Sequence, residues 1–173
     1  VFRAWFDVNT DSYEKITTLP KDLREKLKDK PWLSVRLHVM HESKRDNTKK
    51  ALLKLADDRL IEAVLMGRLR PDPAGTSTAE GRKTRYTICI SSQVGCGMKC
   101  AFCATGKAGF SRNLTPEEIV DQYRFWSRFL LEEESRMLDF VPKTKSAQTH
   151  SAGEIDNIVI MGQGEPLLNY ENI

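Results

Sequence analysis

Arg85-Tyr86-Thr87-Ile88-Cys89-Ile90-Ser91, Thr115-Pro116-Glu117-Glu118 and Asn157-Ile158-Val159-Ile160-Met161 follow one another along the chain. The first stretch is rich in β-branched and aromatic residues and reads as a strand. The second is a capping box: a hydroxyl at the N-cap, Pro at the first helical position and Glu three residues after the Thr. It opens a helix with Ile119, Tyr123, Trp126 and Leu130 on one stripe, ending near Leu138. The third is short and continuously apolar, as a strand buried on both faces of a parallel sheet should be. Strand, loop, helix and strand in that order predict a βαβ unit, so the second part of the chain is α/β.

Outward from this unit the pattern changes. Leu19 to Leu27 predicts a helix, with Pro20 near its start and Leu23 and Leu27 on one face, within a region 1–30 that reads as helical. Ser34 to Met40 alternates like a strand. Ala51–Leu55 and Leu60–Met66 flank Ala56-Asp57-Asp58-Arg59 and read as a β-hairpin. The breaker-rich stretch from Arg70 to Gly81 marks a linker, and residues 142–156 form a second polar loop. The expected organisation is a small α+β domain over 1–70, a flexible loop at 71–83, and an α/β part over 84–173.

Of 173 residues 40% are hydrophobic and 29% charged, which allows a packed core and argues against wholesale disorder. No run of about 18 apolar residues occurs, so no membrane-spanning helix is expected. The net charge of +3 is uneven. Residues 1–112 hold 22 Lys and Arg against 13 Asp and Glu, whereas residues 113–173 hold 5 against 11. A basic first part suits a polyanion such as RNA, although charge alone favours the plainer reading of a solvated, Lys-rich surface. His38, His41 and His150 lie away from the cysteines in sequence and read as satisfied or solvated side chains.

All four cysteines, Cys89, Cys96, Cys100 and Cys103, lie within fifteen residues. A disulfide framework spreads its cysteines to staple distant loops, so a tight cluster reads as a metal or cluster site. Cys96-x3-Cys100-x2-Cys103 can wrap one compact inorganic centre. Three thiolates on a four-iron cubane leave one iron open to a substrate or cofactor. Structural zinc, with Cys89 as fourth ligand, is the alternative. Spacing favours iron–sulfur, because paired CxxC knuckles are absent and Cys89 sits inside a strand pattern.

Cys96-Gly97-Met98-Lys99-Cys100-Ala101-Phe102-Cys103 resembles the CxxxCxxC signature of the radical S-adenosylmethionine (SAM) superfamily. The flanks resemble one family more narrowly, the ribosomal and transfer RNA adenine-C2 methyltransferases. These flanks are Cys89 to Cys96, Phe102-Cys103-Ala104-Thr105-Gly106, Gly109 to Thr115, and Met161-Gly162-Gln163-Gly164-Glu165-Pro166-Leu167-Leu168-Asn169. Thr18–Arg24 and Leu55–Leu65 fit the family's N-terminal part, and the segments at 71–83 and 139–156 look like insertions.

The resemblance implies an incomplete radical SAM (β/α) barrel behind the small α+β domain. It implies that Cys96, Cys100 and Cys103 hold a [4Fe–4S] cluster whose open iron chelates SAM. Gly164 and Glu165 then hold the SAM ammonium. In the family a 5′-deoxyadenosyl radical takes hydrogen from a methylated cysteine, whose carbon radical adds to C2 of adenine; a second cysteine resolves the RNA–protein crosslink through a disulfide. Cys89 matches that resolving cysteine and Glu62 the position assigned a proton-acceptor role. The implied partners are ribosomal RNA, transfer RNA as a second substrate class, and an electron donor such as flavodoxin or ferredoxin, with no membrane and a monomeric chain. The implied compartment is cytoplasmic, or organellar where a transit peptide precedes this stretch. The family's methyl-carrying cysteine lies far downstream and no cysteine follows Cys103 here, so the chain is expected to be truncated and inactive alone. A zinc-stapled RNA-binding module and a radical SAM enzyme with a non-RNA substrate remain the competing expectations.

Overall fold

The computed structural model describes residues 2–7, 9–69, 84–138 and 154–173. Three strands open the sheet: β1 (Arg36–Glu42), β2 (Asn47–Lys54) and β3 (Leu60–Leu69), paired antiparallel in sequence order. β3 pairs antiparallel with β4 (Thr84–Cys89), and β4 pairs parallel with β7 (Asn157–Val159). The sheet order is therefore β1-β2-β3-β4-β7, continuous from the N-terminal meander into the βαβ unit. The parallel β4–β7 pair is the crossover that the apolar run at 157–161 predicts. β7 itself is shorter than that run, stopping at Val159, and it is not buried on both faces as the run suggests: it is the edge strand of the sheet, with Ile158 48% exposed.

The crossover carries β5 (Gln93–Gly95), α3 (Ala104–Ala108), β6 (Phe110–Asn113) and α4 (Pro116–Leu138). α4 opens on the predicted capping box. The Thr115 amide donates to Glu118 Oε2 (3.0 Å) and the Glu118 amide to Thr115 Oγ1 (3.3 Å). It ends at Leu138, as its apolar stripe predicts.

Alternation along the strands sorts the sheet into two faces. Ala51, Leu53, Leu55, Ile61, Ala63, Leu65, Ile88 and Ile90 turn to one side and are buried with Leu114, Ile119, Trp126 and Leu130. Trp126 is fully buried, and burying a large aromatic contributes a few kcal/mol. The opposite face carries Lys50, Leu52, Glu62, Val64, Met66, Thr87 and Cys89, none of them in the buried core.

The N-terminal region is less helical than expected. α1 (Phe2–Phe6) stops because Asp7 accepts the Asn9 amide in a local turn (3.0 Å), and only α2 (Lys21–Leu27) follows as an α-helix. Arg124 of α4 holds this region in place. It is buried with Asp121, donates Nε to the Trp5 carbonyl (2.9 Å), and lies between the Trp5 and Trp32 rings at 5.1 and 4.6 Å. The expected flexible loop 71–83 and most of the loop at 142–156 lie outside the described residues. Among the described residues the architecture is α/β with an open sheet and no closed barrel, and no helix is long and apolar enough to cross a membrane.

Candidate functional site

Past Cys89, β4 loses its β3 partner, and the backbone of Ser91, Ser92 and Gln93 must find other partners. Gln122, buried on α4, supplies two of them. The Ser91 amide donates to Gln122 Oε1 (2.8 Å), and Gln122 Nε2 donates back to the Ser91 carbonyl (2.9 Å). The Ser91 hydroxyl donates to the Glu62 carbonyl (2.6 Å) and accepts the Gln163 amide (2.8 Å). One side chain thus ties β3, β4 and the segment after β7 together.

That segment, Gly162 to Glu165, lies along residues 90–93. The Gly162 amide donates to the Ile90 carbonyl (2.9 Å), and the Ser92 and Gln93 amides to the Gln163 carbonyl (2.9 and 3.2 Å). The Glu165 amide donates to Gln93 Oε1 (2.9 Å). The approach is close enough to require glycine at 164: φ is +102°, and a Cβ there would stand 2.6 Å from the Gln93 Cβ. Glu165 also accepts the Leu167 amide at Oε1 (3.1 Å), opening a 3-10 turn over Pro166–Asn172. Buried Asn169 of that turn donates Nδ2 to the carbonyls of Ser92 (2.8 Å) and Leu114 (3.0 Å). The motif is thereby fixed at the carboxyl ends of parallel β4 and β7, where α/β sheets place ligands.

The cysteine loop begins at the same end. β5 and β6 form a small hairpin beneath it, a two-stranded sheet that its length hid from sequence reading, with Gln93 opposite Asn113 and Val94 opposite Arg112. The Cys96 amide donates to the Gly109 carbonyl (2.9 Å) and the Cys103 amide to the Cys100 carbonyl (3.0 Å). Lys99 takes a left-handed φ of +52°. Cys96 is buried, Cys100 and Cys103 are half-buried, and all four cysteines are free thiols. The backbone amides of Gly106 and Thr105 point at Cys103 and hold its thiol below the ordinary value, opposed by burial.

Arg112 anchors the hairpin. It forms a two-pronged pair with Glu118 (2.8 Å at both oxygens) and donates Nε to Asp57 in the β2–β3 turn (2.8 Å). Asp57 in turn pairs with Arg59 (2.7 Å). Arg112, chiefly, holds the Asp57 carboxyl well below the usual range.

Glu62 and Cys89 come together on the open sheet face. Val64 stands directly opposite Cys89, and Glu62 is two residues along on the same side. Lys50 pairs with Glu62 Oε1 at 3.1 Å, both side chains being partly exposed. Burial pushes the Cys89 thiol up, opposed by the Met161 amide beside it. Cys89 thus stands on the sheet face in β4, while Cys96, Cys100 and Cys103 follow in the loop. Among the described residues no group of three or more His, Cys, Asp and Glu side chains could hold a metal ion. One tetrahedral zinc ion takes all of its sulfurs at about 2.3 Å, whereas an iron–sulfur cluster distributes its thiolates over several irons. Three thiols within eight residues are a donor set that suits an iron–sulfur cluster.

The expected histidines play no part here: His38 and His41 are exposed, and His150 lies outside the described residues. Sequence reading assigned no role to Gln93, Gln122, Asn169 and Arg112. The only cue to the first three is that polar residues sit where the pattern calls for buried ones.

No family model matches the chain. Over its full length it is 34% identical to a probable dual-specificity RNA methyltransferase RlmN of Syntrophomonas wolfei, of which it covers 42%. It is 38% identical over its full length to a dual-specificity RNA methyltransferase RlmN of Campylobacter fetus, of which it covers 44%. The chain therefore spans about two fifths of the length of these curated relatives. A crystal structure of a radical SAM methyltransferase from Sphaerobacter thermophilus superposes with a TM-score of 0.62 at 33% identity, over 93% of this chain and 38% of that one. The whole chain is thus homologous to about two fifths of the RlmN dual-specificity RNA methyltransferases, and nearly all of it shares the fold of part of a radical SAM methyltransferase.

Proposed function

We propose that the chain is the cluster- and SAM-binding part of an enzyme that methylates C2 of adenine in ribosomal RNA, with transfer RNA as a second substrate class. The observation that carries this reading is that Gly162–Glu165, hydrogen-bonded along Ser91 to Gln93, and the cysteine loop, which leaves β5 immediately after, both sit past the carboxyl ends of β4 and β7. Cys96, Cys100 and Cys103 hold the cluster as thiolates. Bound there with SAM, a [4Fe–4S] cluster supplies one-electron chemistry, which adenine C2 needs because it is neither nucleophilic nor acidic.

The chain's own residues do the rest. Gly164 and Glu165 bind the SAM ammonium through a backbone carbonyl and a carboxylate, both suited to a cation. Glu165 is preset for this by the hydrogen bond that its backbone amide donates to Gln93 Oε1. Glu62 accepts the proton that C2 gives up, and Lys50 orients its carboxylate. Cys89 is the thiol that resolves the RNA–protein crosslink through a disulfide; its raised pKa keeps it protonated, and so a poor nucleophile, until a base or partner sulfur engages it. The reading further includes a monomeric protein in the cytoplasm or an organelle, reduced by a flavodoxin- or ferredoxin-type donor.

Nucleoside mass spectrometry tests the function. Ribosomal and transfer RNA incubated anaerobically with the gene product, SAM and a reductant should gain 2-methyladenosine. Cys96→Ala, Cys100→Ala or Cys103→Ala should abolish the product. Methylation that persists in these variants, or that appears on a peptide and not on RNA, overturns the proposal.

A further inference from the structure

Arg68 and Arg85 stand directly opposite each other in the antiparallel β3–β4 pair. Both are exposed. Like charges in this cross-strand position repel, so strand pairing alone does not explain them. Among the described residues neither guanidinium has an ion-pair partner. Asp46 feels the Arg68 charge, but its carboxylate is taken by Ser43 and Thr48. The two arginines line a concavity with Met66, Thr87 and Asn157. Asn157 Nδ2 donates to Thr87 Oγ1 (3.3 Å), which leaves the Thr87 hydroxyl proton free to donate outward. Among the described residues the lining therefore offers two guanidinium forks and a hydroxyl, with Met66 as its apolar member and no carboxylate. Paired forks of this kind match the oxygens of a phosphate.

The concavity shares its sheet face with Cys89. Arg85, Thr87 and Cys89 alternate onto that face along β4, and Asn157 and Val159 continue it on β7. Cys89 is four positions along the strand from Arg85, about 13 Å, a span that a short length of single-stranded nucleic acid covers. We propose that Arg68 and Arg85 bind one phosphate of the RNA backbone and so hold the strand whose target base reaches Cys89. This rests on the reading of the chain as part of an RNA-modifying enzyme.

The test uses this chain and a fluorescently labelled single-stranded RNA, with anisotropy measured across a range of NaCl concentrations. Each phosphate neutralised on a single strand contributes about 0.7 to the slope of log K against log salt. Arg68→Gln/Arg85→Gln should lower that slope by about 0.7 and weaken binding about tenfold at moderate salt. Lys21→Gln/Lys26→Gln removes the same charge from exposed positions on α2 and should change affinity less than twofold. Arg68→Glu, which turns the repulsive pair into an attractive one, should raise the melting temperature while weakening RNA binding. This separates the site from a folding defect. Inorganic phosphate should compete only weakly. Competition at micromolar phosphate would make the pocket a free-anion site and overturn the assignment to RNA. Equal weakening by the α2 variant, or RNA binding unchanged by the double arginine variant, overturns the site while leaving the RNA reading intact. A chain that binds no RNA at all overturns both.

Discussion

Alanine at position 164 should destabilise the chain much more than alanine at position 109, although both glycines have positive φ. Gly109 has φ +86° and nothing within 4 Å of where its Cβ would sit, so Gly109→Ala adds only backbone strain, about 1–2 kcal/mol. Gly164 has φ +102°, and its Cβ would stand 2.6 Å from the Gln93 Cβ, 2.7 Å from the Gln93 amide nitrogen and 2.7 Å from Ser92 Oγ. The nearest atoms include backbone in the most hydrogen-bonded part of the site, so relief requires the 162–165 segment to lift from residues 90–93. Forced overlap in a packed region costs about 1–3 kcal/mol more, for a total of about 2–5 kcal/mol. For a chain of this size each kcal/mol moves the melting temperature by about 2–4 °C. Gly109→Ala should lower it by about 2–8 °C and Gly164→Ala by about 4–20 °C. Urea denaturation of the reduced chain, followed by Trp fluorescence, should show the same ranking with an unchanged slope against denaturant. Equal losses for the two variants would refute the close approach of Gly164 to Gln93, and with it the positioning of Glu165.

Other expectations concern the groups that hold the site. Arg112→Met should cost about 1–3 kcal/mol, because it strips a two-pronged partner from buried Glu118. Asp57 is held low by Arg112. Its contribution is therefore present above the ordinary carboxylate value of about 4 and is lost as pH falls from there toward its lowered folded value. Melting temperatures from pH 6 to pH 3 should accordingly fall less steeply in Arg112→Met than in the unmodified chain. Gln122→Leu leaves the Ser91 amide and carbonyl without their partners and should cost about 2–5 kcal/mol in a urea titration. With iodoacetamide near pH 8, Cys103 should alkylate several-fold faster than Cys89. Nearby amides lower the Cys103 thiol and burial raises the Cys89 thiol; peptide mass spectrometry gives the order.

The βαβ unit was legible because each part carries a local signal. The Thr115–Glu118 capping box set the start of α4, the stripe through Trp126 and Leu130 set its buried face, and the apolar run at 157–161 identified a parallel strand. The order of the cysteines and the Gly164-Glu165 pair were equally plain, since spacing survives in one dimension. What could not be read was long-range pairing. Nothing local says that β4 pairs with β3 across the intervening segment, yet that pairing sets Glu62 and Cys89 on one face. The roles of polar side chains stay hidden in the sequence for the same reason. Gln122 looks like a solvated helix residue until β4 is seen to need partners for Ser91, and Arg112 looks like one more basic residue until the β2–β3 turn brings Asp57 to it. The helical reading of residues 1–30 failed where short polar side chains such as Asp7 offered the backbone local turns instead.

Iron and acid-labile sulfide analysis, after anaerobic reconstitution of the chain, tests most directly whether Cys96, Cys100 and Cys103 hold a cluster. About four irons and four sulfides per chain are expected, with a broad visible absorbance. Cys100→Ala should lose both, whereas Cys89→Ala should keep them. One zinc and no iron, or equal loss in the Cys89 and Cys100 variants, would contradict the assignment.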